Sequence, residues 1–151
     1  MIHTRILMVC LGNICRSPLA EGILKSMVNP DFIYIDSAGT SAFHRGELPD
    51  IRSINVAKKY GIDITNQRSR QFKASDFDIF DTIYVMDDSN KKNVLALAKN
   101  NNDRAKVKLI LNESNTEINS NVPDPYYDKD QGFELVYNML HNACTCISNK
   151  L

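Results

Sequence analysis

Four short, predominantly apolar runs punctuate the chain, and between them apolar residues recur at helical spacing. Ile6-Leu7-Met8-Val9, ending at Cys10, is expected to be a buried strand, as are Ile33-Tyr34-Ile35, Thr82–Met86 and Val107–Leu111. After the first run, Ser17-Pro18 reads as a helix start with Ser17 as capping hydroxyl. Leu19, Ala20, Ile23, Leu24, Met27 and Val28 follow in register until Asn29-Pro30. A second helix is expected over Asp50–Tyr60, on Ile51, Ile54, Val56, Ala57 and Tyr60, closed by Gly61. A third follows Asp87-Asp88-Ser89-Asn90 with Val94, Leu95, Leu97 and Ala98. The last starts near Gln131, on Phe133, Val136, Leu140, Ala143 and Ile147. Residues 41–49, 63–76 and 112–130 read as loops. Near-continuous apolar strands alternating with helices predict an α/β fold: a doubly wound, four-stranded parallel sheet with helices on both faces. No repeat or linker interrupts the pattern, so 1–151 is expected to form a single domain.

Composition narrows the function. The 18 Lys and Arg balance the 18 Asp and Glu. Such a chain is not expected to hold nucleic acid through long-range electrostatics. No run reaches transmembrane length and no signal peptide is recognisable at Met1, so a cytoplasmic protein without a membrane partner is expected. There the four cysteines would be free thiols. They form no C-x-x-C pair and have no histidine cluster beside them, so no metal or other cofactor is expected.

Ligands of doubly wound sheets bind beyond the carboxyl ends of the strands, which directs attention to the loop after the first strand. Cys10 and Arg16 bracket Leu11, Gly12, Asn13, Ile14 and Cys15, and a helix begins immediately afterwards. The backbone N–H groups of Leu11 to Arg16 can curl around a tetrahedral anion, with the positive end of the helix aimed at the same point. Gly12 and Asn13 are residue types that tolerate the positive φ such a curl needs. Arg16 offers a planar fork for two phosphate oxygens. The same field favours the thiolate form of Cys10, a nucleophile, and Ser17 can donate a hydrogen bond to its sulfur. No Gly-Lys-Ser/Thr follows the glycine, so this is not a nucleotide-binding loop.

The segment Val9–Glu21 resembles the signature of the low-molecular-weight protein tyrosine phosphatases. Asp36–Ser41, Met86–Asn90 and Asp124-Pro125-Tyr126-Tyr127 resemble further segments of that family, in its order. The resemblance implies hydrolysis of phosphotyrosine through a phosphocysteine on Cys10. Asp124 would be general acid and later base, aimed by the stiff Pro125. It implies Ser37 as a partner of Asn13, where a plain strand-end serine is the other reading. It implies Asp87 as a support for the site, where a helix cap is the other reading. Phe43 and His44 fall where the family places variable substrate-facing residues, many members having Trp at the Phe43 position. Tyr126 and Tyr127 are read as cleft walls rather than core aromatics. It also implies that peroxide can join Cys10 to Cys15. The expected partners are phosphotyrosine-containing proteins, with phosphate and other oxyanions as inhibitors, and the expected state is a monomer.

A thioredoxin-linked arsenate reductase on the same fold is the rival reading. That chemistry needs relay cysteines downstream of the third strand, and residues 82–100 contain none. Cys144 and Cys146 are the remaining candidates. A binding module without catalysis would not need both Cys10 and Asp124, and a phosphocarrier would not need the Arg16 fork.

Overall fold

The computed structural model describes residues 1–114 and 120–151. The expected loop 112–130 therefore lies partly outside the described residues. Four parallel strands, β1 (Thr4–Cys10), β2 (Ile33–Gly39), β3 (Thr82–Val85) and β4 (Val107–Leu109), pair in the order β2-β1-β3-β4. Among the described residues six α-helices accompany them: α1 (Arg16–Lys25), α2 (Ile51–Lys59), α3 (Asp76–Ile79), α4 (Asp88–Leu95), α5 (Asn101–Ala105) and α6 (Asp130–Ser148). This is the predicted α/β architecture.

Alternation along β1 explains the two-sided core, because successive side chains of a strand point to opposite faces. Ile6, Met8 and Cys10 face one cluster, which is completed by Leu19 and Ile23 of α1, Val56 of α2, and Phe133, Val136 and Leu140 of α6. Leu7 and Val9 face the other, with Phe72, Phe77, Phe80, Val85 and Val94. Each fully buried side chain of this size stabilises the fold by about 1.5–3 kcal/mol. The strand order reverses between β2 and β3 on either side of β1, so the crevice expected in such sheets opens at the end of β1.

Several local expectations change. Ser17 does not cap α1. Cys15 is its N-cap residue and makes no side-chain cap, while Ser17 sits in the first turn, fully buried. The helix ends at Lys25 rather than at Asn29-Pro30, and Met27 and Val28 pack against the core from the turn beyond. Strand β2 continues through Ser37-Ala38-Gly39, because its partner β1 extends to Cys10 and Cys10 pairs with Gly39. Leu97 lies past the end of α4 and is exposed. Helices α3 and α5 are too short to show a periodic stripe, and Asn100 caps the latter by accepting the Asp103 N–H. After β4, Ile110–Glu113 is a 3₁₀ turn rather than more strand. Among the described residues, no helix is long and apolar enough to cross a membrane.

Candidate active site

The loop between β1 and α1 lies at the sheet's reversal point. Its walls are the 40–50 segment and the turn before α6. Together they line a pocket of about 490 Å³, with Cys10, Leu11, Ile14 and Arg16 at its base and Phe43, His44, Asp124, Tyr126 and Tyr127 around it. Phe43 is 83% exposed and Tyr127 95%, while Tyr126 is 36% exposed beside the His44 ring, 6.0 Å between centroids. Tyr126 is thus the tyrosine more closely built into the wall.

Asn13 shapes the loop. Its φ is +56°, alone among the described non-glycine residues in the left-handed region. Its Nδ2 donates to Ser17 Oγ (2.7 Å) and Ser37 Oγ (3.0 Å), and its Oδ1 accepts the Arg70 N–H at 3.0 Å. Ser37 therefore is a partner of Asn13. Because Ser17 Oγ accepts from Asn13, its own hydrogen is free to point at Cys10 Sγ, 3.0 Å away. The Asn13 N–H also approaches that sulfur, at 3.3 Å. The side chains of Asn13 and Ser17 lie beneath the floor of the pocket rather than in its lining.

Gly12 is not at positive φ. Space favours glycine there: a Cβ would come within 2.9 Å of the His44 ring, which would have to shift. Gly39 is held just as tightly, since a Cβ there would meet Leu11 O at 2.8 Å and Asn13 N at 3.0 Å. His44 Nδ1 pairs with Glu47 at 3.0 Å.

Arg16 is only 2% exposed. Its Nη1 donates to Asp87 Oδ2 (2.7 Å) and Val122 O (3.0 Å), and its Nη2 lies 3.5 Å from Asp124 Oδ2. Burial pulls its pKa down, but Cys10, Asp87 and Asp124 outweigh that and raise it. Asp87 fills both roles left open by the sequence: Oδ2 receives Arg16, and Oδ1 caps α4 by accepting the Asn90 N–H at 2.8 Å. Asp124 Oδ1 accepts the Tyr126 N–H at 3.1 Å, leaving Oδ2 towards Arg16 and the pocket. Burial pushes the Cys15 thiol well up, helped by Asp50 and Cys10, so it stays protonated. Cys144, buried against the Ala20 carbonyl of α1, is pushed up to about 12 by burial. Neither it nor Cys146 lines the pocket.

Sequence patterning gives no hint of several residues that hold this site. Ser69 Oγ donates to Gly12 O at 2.9 Å, and Arg70 bridges Asp36 and Asp76 while its backbone N–H fixes Asn13. Glu21, buried on α1, accepts from Ser37 Oγ at 2.6 Å and from Lys25. Its apolar neighbours in the α1 stripe were the only signal that this acid faces inward. Burial pushes the Glu21 carboxyl above its ordinary value of 4.5, against the hydrogen bonds from Lys25 and Ser37. A raised folded-state value means that the stability tied to this proton is present in acid and is lost as pH rises through that value. Glu21→Gln should therefore gain on the parent between about pH 4 and pH 7. Urea midpoints at the two ends of that range measure it, and a gap that stays constant or narrows refutes it.

Comparison with known proteins agrees with this geometry. A family model described as low molecular weight phosphotyrosine protein phosphatase matches residues 5–151. The low molecular weight phosphotyrosine protein phosphatase of Schizosaccharomyces pombe is 42% identical over 143 residues, 91% of this chain and 90% of its own. The crystal structure of a protein tyrosine phosphatase from Entamoeba histolytica superposes with a TM-score of 0.90 at 35% identity, covering 97% of this chain and 96% of that one. Vibrio vulnificus Wzb, solved in complex with benzylphosphonate, gives 0.88 at 28% identity, covering 98% and 99%. With that coverage, and with the loop, the sheet and the pocket in place, the chain belongs to the low molecular weight phosphotyrosine protein phosphatase family.

Proposed function

We propose that this chain hydrolyses phosphotyrosine in proteins, and small aryl phosphates, through a phosphocysteine on Cys10. The observation that carries the reading is the convergence of Cys10, Arg16 and Asp124 on one pocket with aromatic walls. The Cys10 thiolate attacks phosphorus while the P–O bond to the tyrosyl oxygen breaks. Asp124 gives its proton to that oxygen. Water then attacks phosphorus, Asp124 takes its proton, and the S–P bond breaks to release phosphate and restore the thiolate. Loop N–H groups and Arg16 hold the phosphoryl oxygens throughout. Ser17, fixed by Asn13, whose amide is in turn held by Ser37, donates to the sulfur as it leaves. Phe43, His44, Tyr126 and Tyr127 receive the aromatic ring of the substrate. That the Vibrio protein takes benzylphosphonate, an aromatic group bearing a phosphate-like head, supports an aryl phosphate as the class of substrate.

The reading includes a cytoplasmic monomer, needing no cofactor, with phosphate and other oxyanions as inhibitors. It also includes peroxide sensitivity: oxidised Cys10 closes a disulfide with the Cys15 thiol, and an external thiol reopens it. The buried Cys144 offers no support to a reductase relay.

Hydrolysis of p-nitrophenyl phosphate in the presence of a metal chelator tests the proposal. Wild-type turnover should follow a bell-shaped pH profile with its maximum on the acidic side, because Asp124 must carry a proton when the leaving group departs. Asp124→Ala should lower kcat/KM by about 10²–10⁴-fold and remove the alkaline limb. Absence of turnover, or a rate still climbing at about pH 9, would overturn the reading.

A further inference from the structure

Besides Arg16, which reaches Val122 O and Asp124 Oδ2 from the pocket floor, a second arginine fastens the backbone of the Asp124 turn to the rest of the site. Arg52, on the first turn of α2, donates from Nη2 to Tyr126 O and from Nη1 to Asp128 O, both at 2.8 Å. The same guanidinium grips Asp50 through Nε and Nη2, both at 3.0 Å, and its face lies 4.5 Å from the Phe133 ring centre. Asp50 in turn caps α2 and donates its backbone N–H to Ile14 O of the phosphate loop at 2.8 Å. A continuous polar path thus joins the floor of the pocket to the turn that carries Asp124.

Burial pushes the Asp50 carboxyl up, but the Arg52 hydrogen bonds outweigh it and hold the group below its ordinary value, so the pair is ionised at neutral pH. The position of the grip is what matters for chemistry. Tyr126 offers its N–H to Asp124 Oδ1, while its carbonyl is held by Arg52. With both ends of Tyr126 tied, Oδ1 is occupied and Oδ2 is the oxygen left facing the pocket. The turn closes through Asp128 N–H to Pro125 O at 2.8 Å.

We infer that Arg52 is a positioning residue for the acid: through the carbonyls of Tyr126 and Asp128 it sets where Asp124 Oδ2 points relative to the phosphate loop. This rests on the proposed role of Asp124 in protonating the leaving oxygen. A misplacement of about 1 Å can cost on the order of 10²-fold in rate, and here the cost falls on proton delivery rather than on phosphate binding.

The test compares kcat/KM for phenyl phosphate, whose leaving oxygen needs a proton, with that for 2,4-dinitrophenyl phosphate, whose leaving group does not. In Arg52→Ala the first should fall by about 10- to 100-fold and the second by less than about threefold. The Arg52→Lys variant keeps the charge and the stem over Phe133 but loses the fork, and should show the same split to a smaller extent. It serves as the test if the alanine variant does not fold. In an Asp124→Ala background, Arg52→Ala should add nothing further to the split. Equal losses on both substrates, or no loss, would reduce Arg52 to a fold-stabilising clamp and overturn the inference. If Asp124→Ala itself fails to separate the substrates, the acid assignment falls. If it separates them and the Arg52 variants do not, only the Arg52 inference falls.

Discussion

Cys10→Ser is expected to lose hydrolysis of aryl phosphates almost entirely, with kcat down by about four orders of magnitude or more. The substitution removes one property and little else. Oxygen replaces sulfur in a side chain that is buried at the end of β1, with no change in charge of the neutral form. The hydrogen bonds from Ser17 and from the Asn13 N–H are spaced for sulfur, at 3.0 and 3.3 Å. In the proposed mechanism they steady a sulfur nucleophile that a serine hydroxyl does not replace. Arg16, the loop amides and the aromatic wall remain, so phosphate should still bind. The decisive pair of measurements is single-turnover chemistry and phosphate affinity on the same preparation. Turnover above about one-hundredth of the parent would mean that another group attacks phosphorus.

Arg16→Ala is expected to damage the fold as much as the activity. Arg16 is among the largest fully buried side chains, and it crosses the pocket floor to Asp87 and Val122. Removing it leaves a cavity and strips the Asp87 carboxylate of its cationic partner. Breaking a buried pair from one side costs about 3–5 kcal/mol. Asp87 keeps some contact with solvent, at 23% side-chain exposure, so the lower part of that range applies. Against a total stability of about 5–15 kcal/mol the loss is large. Urea unfolding with and without phosphate separates the two effects. Phosphate should raise the parent's midpoint by mass action and leave the variant's unchanged. A variant within about 1 kcal/mol of the parent would show that Arg16 is not structural.

What could be read from the sequence follows from where each signal originates. β1 was legible because both of its faces are buried and its side chains form one apolar run. The α6 stripe was legible because nineteen residues give several turns of period. Four or five residues do not, which is why α3 and α5 went unseen. The phosphate loop is contiguous in the chain, so its chemistry could be reasoned from spacing alone. Asp124 lies more than a hundred residues away, and only the family resemblance joined it to Cys10. Arg52, Ser69 and Arg70 left no trace, because an arginine or serine in a polar stretch reads as solvated until the fold shows which carbonyl it faces. Gly12 shows the opposite error. Its place in the loop is plain from the sequence, but what favours it is the room a Cβ would take from the His44 ring rather than its own torsion.

The placement of β1 has a consequence for how the protein comes apart. It is hydrogen-bonded on both sides, to β2 and β3, and it is packed into both apolar clusters. Its amides should therefore be among the slowest to exchange with deuterium, opening only when the molecule unfolds as a whole. Cys10 terminates this strand, so partial openings at β4 or the Asp124 turn leave its sulfur anchored. Thermal damage that stops short of global unfolding would displace Asp124 first and Cys10 last.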